Sequence, residues 1–253
     1  MFFNRGLYSG PAAMYNQKKE EESLMLQTRQ LMENLYCFED GHVRQFLITA
    51  PDKALLLDAG YADSHLREAV QAVTDAPVQL LLTHGDPDHA GGMADFPEVW
   101  LHQADWPLVK NQAGLHPLQE GDLFACGDYL LEVIEVPGHT HGSVAFADRE
   151  KRLLFVGDTV QKGGPIYQFG THRSLREYLR SLYKLQGMAN QFDTLFPCHY
   201  DCPIGPEYIE HTLQDALSLW GNQLPSTDTP DKPCRTYQGR WTAFYCTEED
   251  RQR

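Results

Sequence analysis

"LLLTHGDPDHAGG", residues 80–92, places two histidines and two aspartates within six positions, directly after an apolar run. Imidazole nitrogens and carboxylate oxygens are common protein ligands of zinc, manganese and iron. Because glycine and proline interrupt the segment, we expect a turn, and a turn can wrap its side chains around one or two ions. The stretch therefore predicts a metal site at the end of a strand.

Histidine or aspartate also follows four other apolar runs of the chain. These residues are Asp58 after ALLL, His139 and His141 after LEVIEVPG, Asp158 after RLLFVG, and His199 after DTLFPC. In α/β sheets, the loops that leave one edge of the sheet gather around the binding site. We therefore expect the five strand ends to converge on one pocket.

The segments between these motifs predict strands alternating with helices. Predicted strands occupy most of 24–58, then 78–83, 98–102, 128–136 and 193–197, with a hairpin around 149–151 and a closing pair at 234–246. Predicted helices are 63–74, capped by Asp63 or Ser64, a short one at 103–110, then 174–186 and 207–222. Mixed strands with helices outside them indicate a layered α/β architecture.

Composition excludes several classes of protein. An apolar content of 42% is enough for a buried core, and a formal net charge of −14 disfavours a nucleic-acid partner. No apolar run approaches the roughly 20 residues of a membrane helix, and the N-terminus lacks the pattern of a signal peptide. We therefore predict a cytoplasmic protein without a membrane partner, with residues 1–22 as an N-terminal arm and 23–253 as a single domain.

Taken in order, the strand-end motifs resemble those of the metallo-β-lactamase superfamily. THGDPDHAGG is similar to the H-x-H-x-D-H loop of that family, and LLLDAG, PGHTHGS, FVGDT and FPCHYD are similar to its other motifs. The resemblance spans roughly residues 24–220 and implies a four-layer α/β (α+β) fold, the αββα sandwich, with metals at one edge of its two sheets. It indicates the fold much more closely than the substrate.

The resemblance also implies a set of metal ligands. Those of the first position are His84, Asp86 and His139, those of the second are Asp88, His89 and His199, and Asp158 bridges the two. Asp88 is also the predicted catalytic residue, and Asp58 is implied to orient ligands through hydrogen bonds. Zinc is the expected metal, as one or two ions, with iron or manganese as alternatives.

Asp86 departs from the family pattern, which has histidine there. A carboxylate is shorter than imidazole and adds negative charge, which favours a harder ion. Flavodiiron proteins, a redox branch of the superfamily, use glutamate at this place and bind two irons. Three arrangements stay open: two metals with Asp86 as a ligand, one metal on Asp88, His89 and His199, or an Asp86 that contacts metal only through water.

Two further residues are weak candidates for substrate binding. His141 occupies the place where many relatives have proline, and Tyr167 lies in a segment that often borders the pocket. By contrast, His172 has no companion at ligand spacing and is interpreted as ordinary, and Tyr200 is interpreted as a packing residue. Cys198 is expected to point away from the metals, because neighbours in an extended segment face opposite ways.

The resulting prediction is a metal-dependent hydrolase that uses a metal-activated water on a small ester, thioester, lactone or phosphoester. One alternative is a di-iron or mono-iron redox enzyme on the same fold. Another is a non-catalytic binding protein with a degraded metal site, for which Asp86 is the only support. The expected partner is a small-molecule substrate, and a homodimer through the hairpin at 234–246 stays open.

Overall fold

Two stacked β-sheets form the centre of the protein. The computed structural model describes residues 26–41 and 43–252, so the predicted arm at 1–22 lies outside the described residues. Within this described part of the chain, no helix has both the length and the apolar character needed to cross a membrane.

The first sheet has seven strands that follow one another in chain order. They are β1 (Gln27–Met32), β2 (Leu35–Glu39), β3 (Arg44–Thr49), β4 (Ala54–Leu57), β5 (Val78–Leu81), β6 (Val99–His102) and β7 (Leu115–Leu118). Strands β1 to β4 are antiparallel, as predicted for 24–58, and β4 to β7 are parallel. The carboxyl ends of β4 and β5 therefore lie at the same edge.

The second sheet has five strands, whose members are β8 (Leu123–Cys126), β9 (Tyr129–Glu135), β10 (Val144–Asp148), β11 (Leu153–Gly157) and β13 (Thr194–Pro197). Strand β10 is antiparallel to both β9 and β11, which confirms the predicted hairpin, and β11 is parallel to β13. It follows that β9, β11 and β13 run in the same direction and end at one edge.

A third, four-stranded sheet was not predicted, apart from its central pair. It contains β12 (Pro165–Tyr167), β14 (Ser226–Asp228), β15 (Arg235–Gln238) and β16 (Ala243–Cys246). The antiparallel pair β15–β16 matches the expected closing strands, whereas β12 pairs with β16 in parallel. Strands of three residues, such as β12 and β14, are too short to show an alternating pattern in the sequence.

The main helices lie outside the sheets. They are α1 (Leu66–Gln71), the single turn α2 (Pro87–Ala90), α3 (Leu175–Met188) and α4 (Glu207–Trp220). Helix α3 is capped by Ser174, whose hydroxyl accepts from the Glu177 amide. The predicted cap of the first helix was wrong: α1 begins after His65, which has a left-handed backbone (φ 54°), and no side chain caps it. The predicted helix at 103–110 is a 3₁₀ segment, Gln103–Leu108, because Pro107 lacks the amide that an α-helix needs.

Buried side chains fill three separate layers of the molecule. Between the sheets, the rings of Phe46, Phe155 and Phe196 pack with centroids 4.9–5.6 Å apart. One outer layer packs α1 and α2 on the first sheet, with Leu66 and Val70 among its residues. The other packs α3 and α4 on the second sheet. Helices outside two facing sheets confirm the predicted αββα sandwich.

Candidate metal centre

The strand ends that carry the sequence motifs meet at one edge of the sandwich. Residues after β4 and β5 come from the first sheet, and those after β9, β11 and β13 come from the second. The sheets are joined there by a hydrogen bond from the Val144 amide to the Thr83 carbonyl, 2.8 Å long. The expectation that five strand ends converge on one place is therefore confirmed.

His84, Asp86 and His139 form the first group of candidate ligands. The Asp86 Oδ2 atom lies 3.3 Å from His139 Nε2 and 3.6 Å from His84 Nε2. Bonds of about 2.1 Å in a tetrahedral zinc site place ligand atoms about 3.4 Å apart. The spacing of the group is therefore that of ligands around one ion.

Asp88, His89 and His199 form the second group. His199 Nε2 lies 3.4 Å from Asp88 Oδ2 and 3.3 Å from His89 Nε2, and the distance from His89 Nε2 to Asp88 Oδ2 is 3.7 Å. All three separations again match ligands around a single ion.

Asp158 lies between the two groups. Its Oδ1 atom is 3.4 Å from His89 Nε2, and its Oδ2 atom is 3.2 Å from His199 Nε2 and 3.6 Å from His139 Nε2. One carboxylate thus approaches ligands of both positions, which is the placement required of a bridging ligand.

Unpartnered buried atoms provide an independent test of whether these residues fit a metal. His84 Nε2, His139 Nε2 and Asp158 Oδ1 are buried and have no hydrogen-bond partner among the described residues. A buried polar atom without a partner typically costs about 1–3 kcal/mol, so such atoms need an explanation. A cation bound among them would supply the missing partner to all three, and these residues therefore fit a metal ion.

Hydrogen bonds behind the histidines fix which ring nitrogen faces the centre. His89 Nδ1 donates to Asp58 Oδ2 over 2.8 Å, and His139 Nδ1 donates to the Tyr167 carbonyl over 3.1 Å. Asp58 also accepts the Thr83 hydroxyl, whose oxygen lies 3.0 Å from His84 Nδ1. Each ring therefore uses its Nδ1 atom in these contacts and directs its Nε2 atom at the centre.

Cys198 also belongs to the surroundings of Asp58. Its thiol donates to Asp58 Oδ2 over 3.4 Å. Burial raises the pKa of this thiol well above its usual value, with the charge of Asp58 adding to the effect. Cys198 is thus a neutral hydrogen-bond donor to the carboxylate that orients His89.

Asp86, the departure from the family motif, is bound by a residue that the sequence did not indicate. Arg173 Nη2 lies 2.5 Å from Asp86 Oδ2, and Arg173 Nη1 lies 3.4 Å from Oδ1. His172 Nε2 lies 3.5 Å from Oδ1, so His172 is part of the site and not an ordinary histidine. Burial opposes ionisation of Asp86, but His139, His172 and His84 outweigh it and hold its pKa well below the usual value.

Asp105 joins the two loops that carry the first group. Its Oδ2 atom accepts from the Gly85 amide and the Thr140 hydroxyl, and its Oδ1 atom accepts from the Gly142 amide, over 2.6–2.9 Å. Asp105 lies fully buried in the 3₁₀ segment Gln103–Leu108. It was missed in the sequence because it belongs to no ligand motif.

Gly138 allows the loop before His139 to lie directly on α3. Its backbone has φ 134°, and an added Cβ would lie 2.2 Å from the Tyr178 amide nitrogen. No other residue fits this close approach. The glycine of PGHTHGS therefore sets the depth at which His139 enters the centre.

A cavity of about 600 Å³ opens above the centre. Its walls include the rings of Tyr61, Tyr167, Phe169 and Tyr200. Tyr200, interpreted from the sequence as a packing residue, is 47% exposed at this wall. The size and the largely aromatic wall are typical of a site for a small organic molecule.

The two weak candidates for substrate binding lie in different places. Tyr167 lines the cavity. His141 is absent from its walls: its ring contacts Glu177 Oε2 at 3.1 Å and the Thr171 carbonyl at 3.3 Å. The structure therefore brings Tyr167 to the site but directs His141 towards α3.

The charged groups of the second position are strongly perturbed in the metal-free protein. Burial opposes the charged form of His199, but Asp158 and Asp88 raise its pKa to about 10. Burial likewise opposes a charged His89, yet Asp158, Asp58 and Asp88 raise its pKa well above the usual value. At the first position, burial and the charge of Arg173 lower the pKa of His139 to about 4.

These shifts predict that metal binding at the second position releases protons. Because His89 and His199 are protonated at neutral pH without metal, an incoming ion must displace their protons, whereas His139 is already neutral. The apparent zinc affinity is therefore expected to rise with pH until these histidines lose their protons, which for His199 is about pH 10. Calorimetric titrations in buffers of different ionisation enthalpy measure the proton count. A count of zero would contradict the assignment, and His65→Ala, at an exposed histidine, should leave it unchanged.

Comparison with known proteins agrees with the geometry. Residues 39–199 match the profile of the family described as the Metallo-beta-lactamase superfamily. An acyl-coenzyme A thioesterase, MBLAC2, from Gallus gallus is 26% identical over 73% of this chain and 82% of its own length. A hydroxyacylglutathione hydrolase from Bdellovibrio bacteriovorus is 31% identical over 74% of this chain and 78% of its own length.

A solved structure shows the same fold. A metallo-beta-lactamase from Pontibacter korlensis superposes with a TM-score of 0.66 at 19% identity, covering 76% of this chain and 99% of that one. At this level of identity, the likeness concerns the fold alone.

Proposed function

We propose that the substrate of this chain, which belongs to the metallo-beta-lactamase superfamily, is a small acyl thioester. The chain is an enzyme, a metallo-hydrolase like its relatives. Two of those relatives are named for acyl groups on different thiol carriers, coenzyme A and glutathione. The shared chemistry of those names is hydrolysis of a bond between an acyl carbon and sulfur, and this supports a thioester here.

One observation carries the proposal. Unpartnered atoms His139 Nε2 and Asp158 Oδ1 belong to residues that line a cavity of about 600 Å³, and the unpartnered His84 Nε2 belongs to the same candidate ligand group as His139. A donor set suited to a cation beside a space of this size supports a metal-dependent reaction on a small molecule. We propose zinc as the metal, because imidazole and carboxylate are its usual ligands in hydrolases.

His84, Asp86 and His139 would bind one ion, Asp88, His89 and His199 a second, and Asp158 would contact both. Divalent ions at these positions supply a Lewis acid for the carbonyl oxygen and make water acidic enough to react at neutral pH.

The protein itself contributes proton transfer and orientation. Asp88 is the most exposed of the three carboxylates that face the cavity, at 23% compared with 12% for Asp86 and 11% for Asp158. Burial opposes its ionisation, but His89 and His199 lower its pKa to about 2. Asp88 is thus an ionised carboxylate at the floor of the cavity, where it would accept a hydrogen bond from the attacking water and orient it; a carboxylate with so low a pKa would hold a proton only transiently on its way to the departing sulfur.

The aromatic wall positions the acyl group. Tyr167 and Phe169 stack with centroids 5.6 Å apart, and both line the cavity beside Pro165. Such a wall would shield one side of an acyl group from water. Tyr61, Pro87 and Asp88 line the same cavity.

A substrate panel with measured metal content tests the proposal. Purified full-length protein is expected to contain zinc and to hydrolyse acyl-coenzyme A and acylglutathione thioesters with kcat/KM above about 10⁴ M⁻¹s⁻¹ for its best substrate. A lactone, a phosphodiester and an oxygen ester of the same acyl group serve as comparison substrates.

Preference for one of the comparison substrates would overturn the thioester assignment while keeping the hydrolase. Protein without metal after reconstitution would contradict the metal centre itself. Iron-loaded protein that turns over only with oxygen would instead support the redox alternative. His65→Ala is the matched control, because that histidine is exposed and outside the cavity.

A further inference from the structure

Asp86 and Arg173 form an ion pair that is almost completely buried. Their side chains are 12% and 7% exposed, and both terminal nitrogens of Arg173 face the carboxylate, at 2.5 Å and 3.4 Å. A guanidinium that meets a carboxylate through two nitrogens restricts its orientation as well as stabilising its charge. Asp86 is therefore held in a fixed orientation.

Arg173 forms further hydrogen bonds beside Asp86. Its Nη1 atom also donates to the His139 carbonyl over 3.2 Å and to His172 Nε2 over 2.5 Å. It does not bond to the Nε2 atoms of His84 and His139, which have no hydrogen-bond partner among the described residues. The guanidinium therefore leaves the two histidine nitrogens of the first metal position available to an ion, while its closest contact is with Asp86 Oδ2 itself.

The position of Asp86 Oδ2 compensates for the shorter side chain. Its distances of 3.3 Å and 3.6 Å to the two histidine nitrogens match the range of 3.3–3.7 Å found in the second group. Asp86 also has an extended backbone, φ −66° and ψ 150°, immediately before α2. An oxygen of Asp86 thus lies at ligand spacing from both histidine nitrogens, despite the shorter side chain.

The pair also has the charge of the histidine that it replaces. An ionised carboxylate with an adjacent guanidinium has no net charge, as a neutral imidazole has none. Without Arg173, the first position would carry one more negative charge than the family pattern. The substitution of histidine by aspartate is therefore matched in both position and charge by a residue 87 positions away.

We propose that Asp86 and Arg173 act as one unit that replaces a histidine ligand at the first metal position. Asp86 supplies the ligand oxygen, and Arg173 is the positioning residue that directs this oxygen and neutralises its charge. The inference rests on the metal centre of the proposed function but not on the thioester substrate.

The direction in which Arg173→Met changes the metal affinity shows whether Arg173 positions Asp86 or competes with the metal. Removing a nearby positive charge would by itself strengthen binding of a cation. Loss of the guanidinium, however, also frees Asp86 to turn towards His172 or the cavity. If positioning dominates, Arg173→Met weakens metal binding at the first position, and if Arg173 competes with the metal, the same variant strengthens it.

A double-mutant cycle on zinc binding tests the unit. Chelator-stripped full-length wild type, Asp86→His, Arg173→Met and the double variant are titrated with Zn²⁺ against a chromophoric chelator. Wild type is expected to bind two equivalents. Each single variant should bind the weaker equivalent at least about tenfold less tightly, as for other residues that orient ligands. Asp86→His loses affinity because Arg173 is then an unpaired charge beside the ion.

The zinc affinity of the double variant decides whether Asp86 and Arg173 act as one unit. A histidine without the adjacent guanidinium should return the weaker zinc affinity to within about threefold of wild type, since the two losses share one cause. Arg173→Lys, which keeps the charge without the two-nitrogen contact, should show an intermediate loss. Arg44→Met is the matched control: Arg44 is also buried and paired, with Glu39, and it does not line the cavity.

The outcomes separate this inference from the proposed function. Wild type that binds no zinc would contradict both the proposed function and the Asp86–Arg173 unit. Two equivalents without rescue in the double variant, or tighter binding by Arg173→Met, would overturn only the Asp86–Arg173 unit. The unit would also be overturned if wild type bound one equivalent of zinc and Asp86→His bound it with the same affinity. The ion would then not be at the first position. Circular dichroism and thermal unfolding of each stripped variant show whether a loss comes from misfolding.

Discussion

Replacing Asp158 by alanine is expected to lower kcat/KM for thioester hydrolysis by on the order of 10³-fold or more, because the carboxylate that we propose to contact both metal positions is lost. The carboxylate lies within 3.2–3.6 Å of ligand nitrogens from His89, His139 and His199. No second carboxylate described in the structure approaches ligands of both groups so closely. Zinc content measured on the same preparation should fall below that of wild type.

The Asp158→Asn variant shows whether activity depends on the charge of this side chain or only on its shape. The amide has the size of the carboxylate but no negative charge, so it should restore folding without restoring activity. Burial opposes ionisation of Asp158, but the charges of His199 and His89 hold its pKa well below the usual value, so the native group is ionised at every pH of the assay. An Asp158→Ala protein with full zinc and activity within tenfold of wild type would contradict the bridging role.

Asp148→Asn is the matched control for that experiment. Asp148 is also buried, at 1% exposure, and lies at the opposite end of the β10–β11 hairpin from Asp158. It accepts hydrogen bonds from the Leu130 and Lys151 amides and contacts no metal ligand. Its replacement should lower thermal stability while zinc content and kcat/KM stay close to wild type.

The site residues and helices that could be predicted from the sequence are those marked by a pattern of neighbouring residues in the chain. An apolar run that ends in His or Asp marks both a strand and the edge at which it ends, and this is why His84, His139 and Asp158 were predicted together. Helix α3 was also predictable, since its buried leucines recur at helical spacing and Ser174 precedes them. Such features need only neighbours in the chain.

Arg173 could not be identified in the same way. Its role depends on a contact with Asp86 that spans 87 positions of sequence, and a single arginine before a helix cap carries no spacing signal. The sequence did show that Asp86 departs from the family motif by replacing a histidine with a carboxylate. A buried carboxylate needs a compensating charge, and only the fold shows which side chain supplies it.

The third sheet was missed for a related physical reason. Strand β12 has three residues and pairs with β16, which follows it by more than 70 positions. Short strands have little intrinsic preference and form because a partner strand and a packed face are available. That sheet nevertheless carries Tyr167, whose carbonyl accepts from His139 Nδ1 and so fixes a candidate ligand.

Asp105→Ala is the second substitution expected to have a large effect, although Asp105 is no metal ligand. The change leaves the buried Gly85 and Gly142 amides without an acceptor and removes a partner of the Thr140 hydroxyl. Since each orphaned buried donor costs about 1–3 kcal/mol, we expect a loss of about 3–5 kcal/mol in the free energy of unfolding. For a chain of this size, that corresponds to a fall in Tm of roughly 6–20 °C.

The same change should weaken zinc binding at the first position by about 10–100-fold, because the loops of His84 and His139 lose their common anchor. Asp215→Ala is the control: Asp215 is buried and accepts from the amides of Arg240, Trp241 and Thr242 over 2.8–2.9 Å, away from the metal ligands. The two variants should lose similar stability, but only Asp105→Ala should lose zinc affinity. Equal zinc affinities in the two folded variants would show that Asp105 stabilises the sandwich without positioning the metal centre.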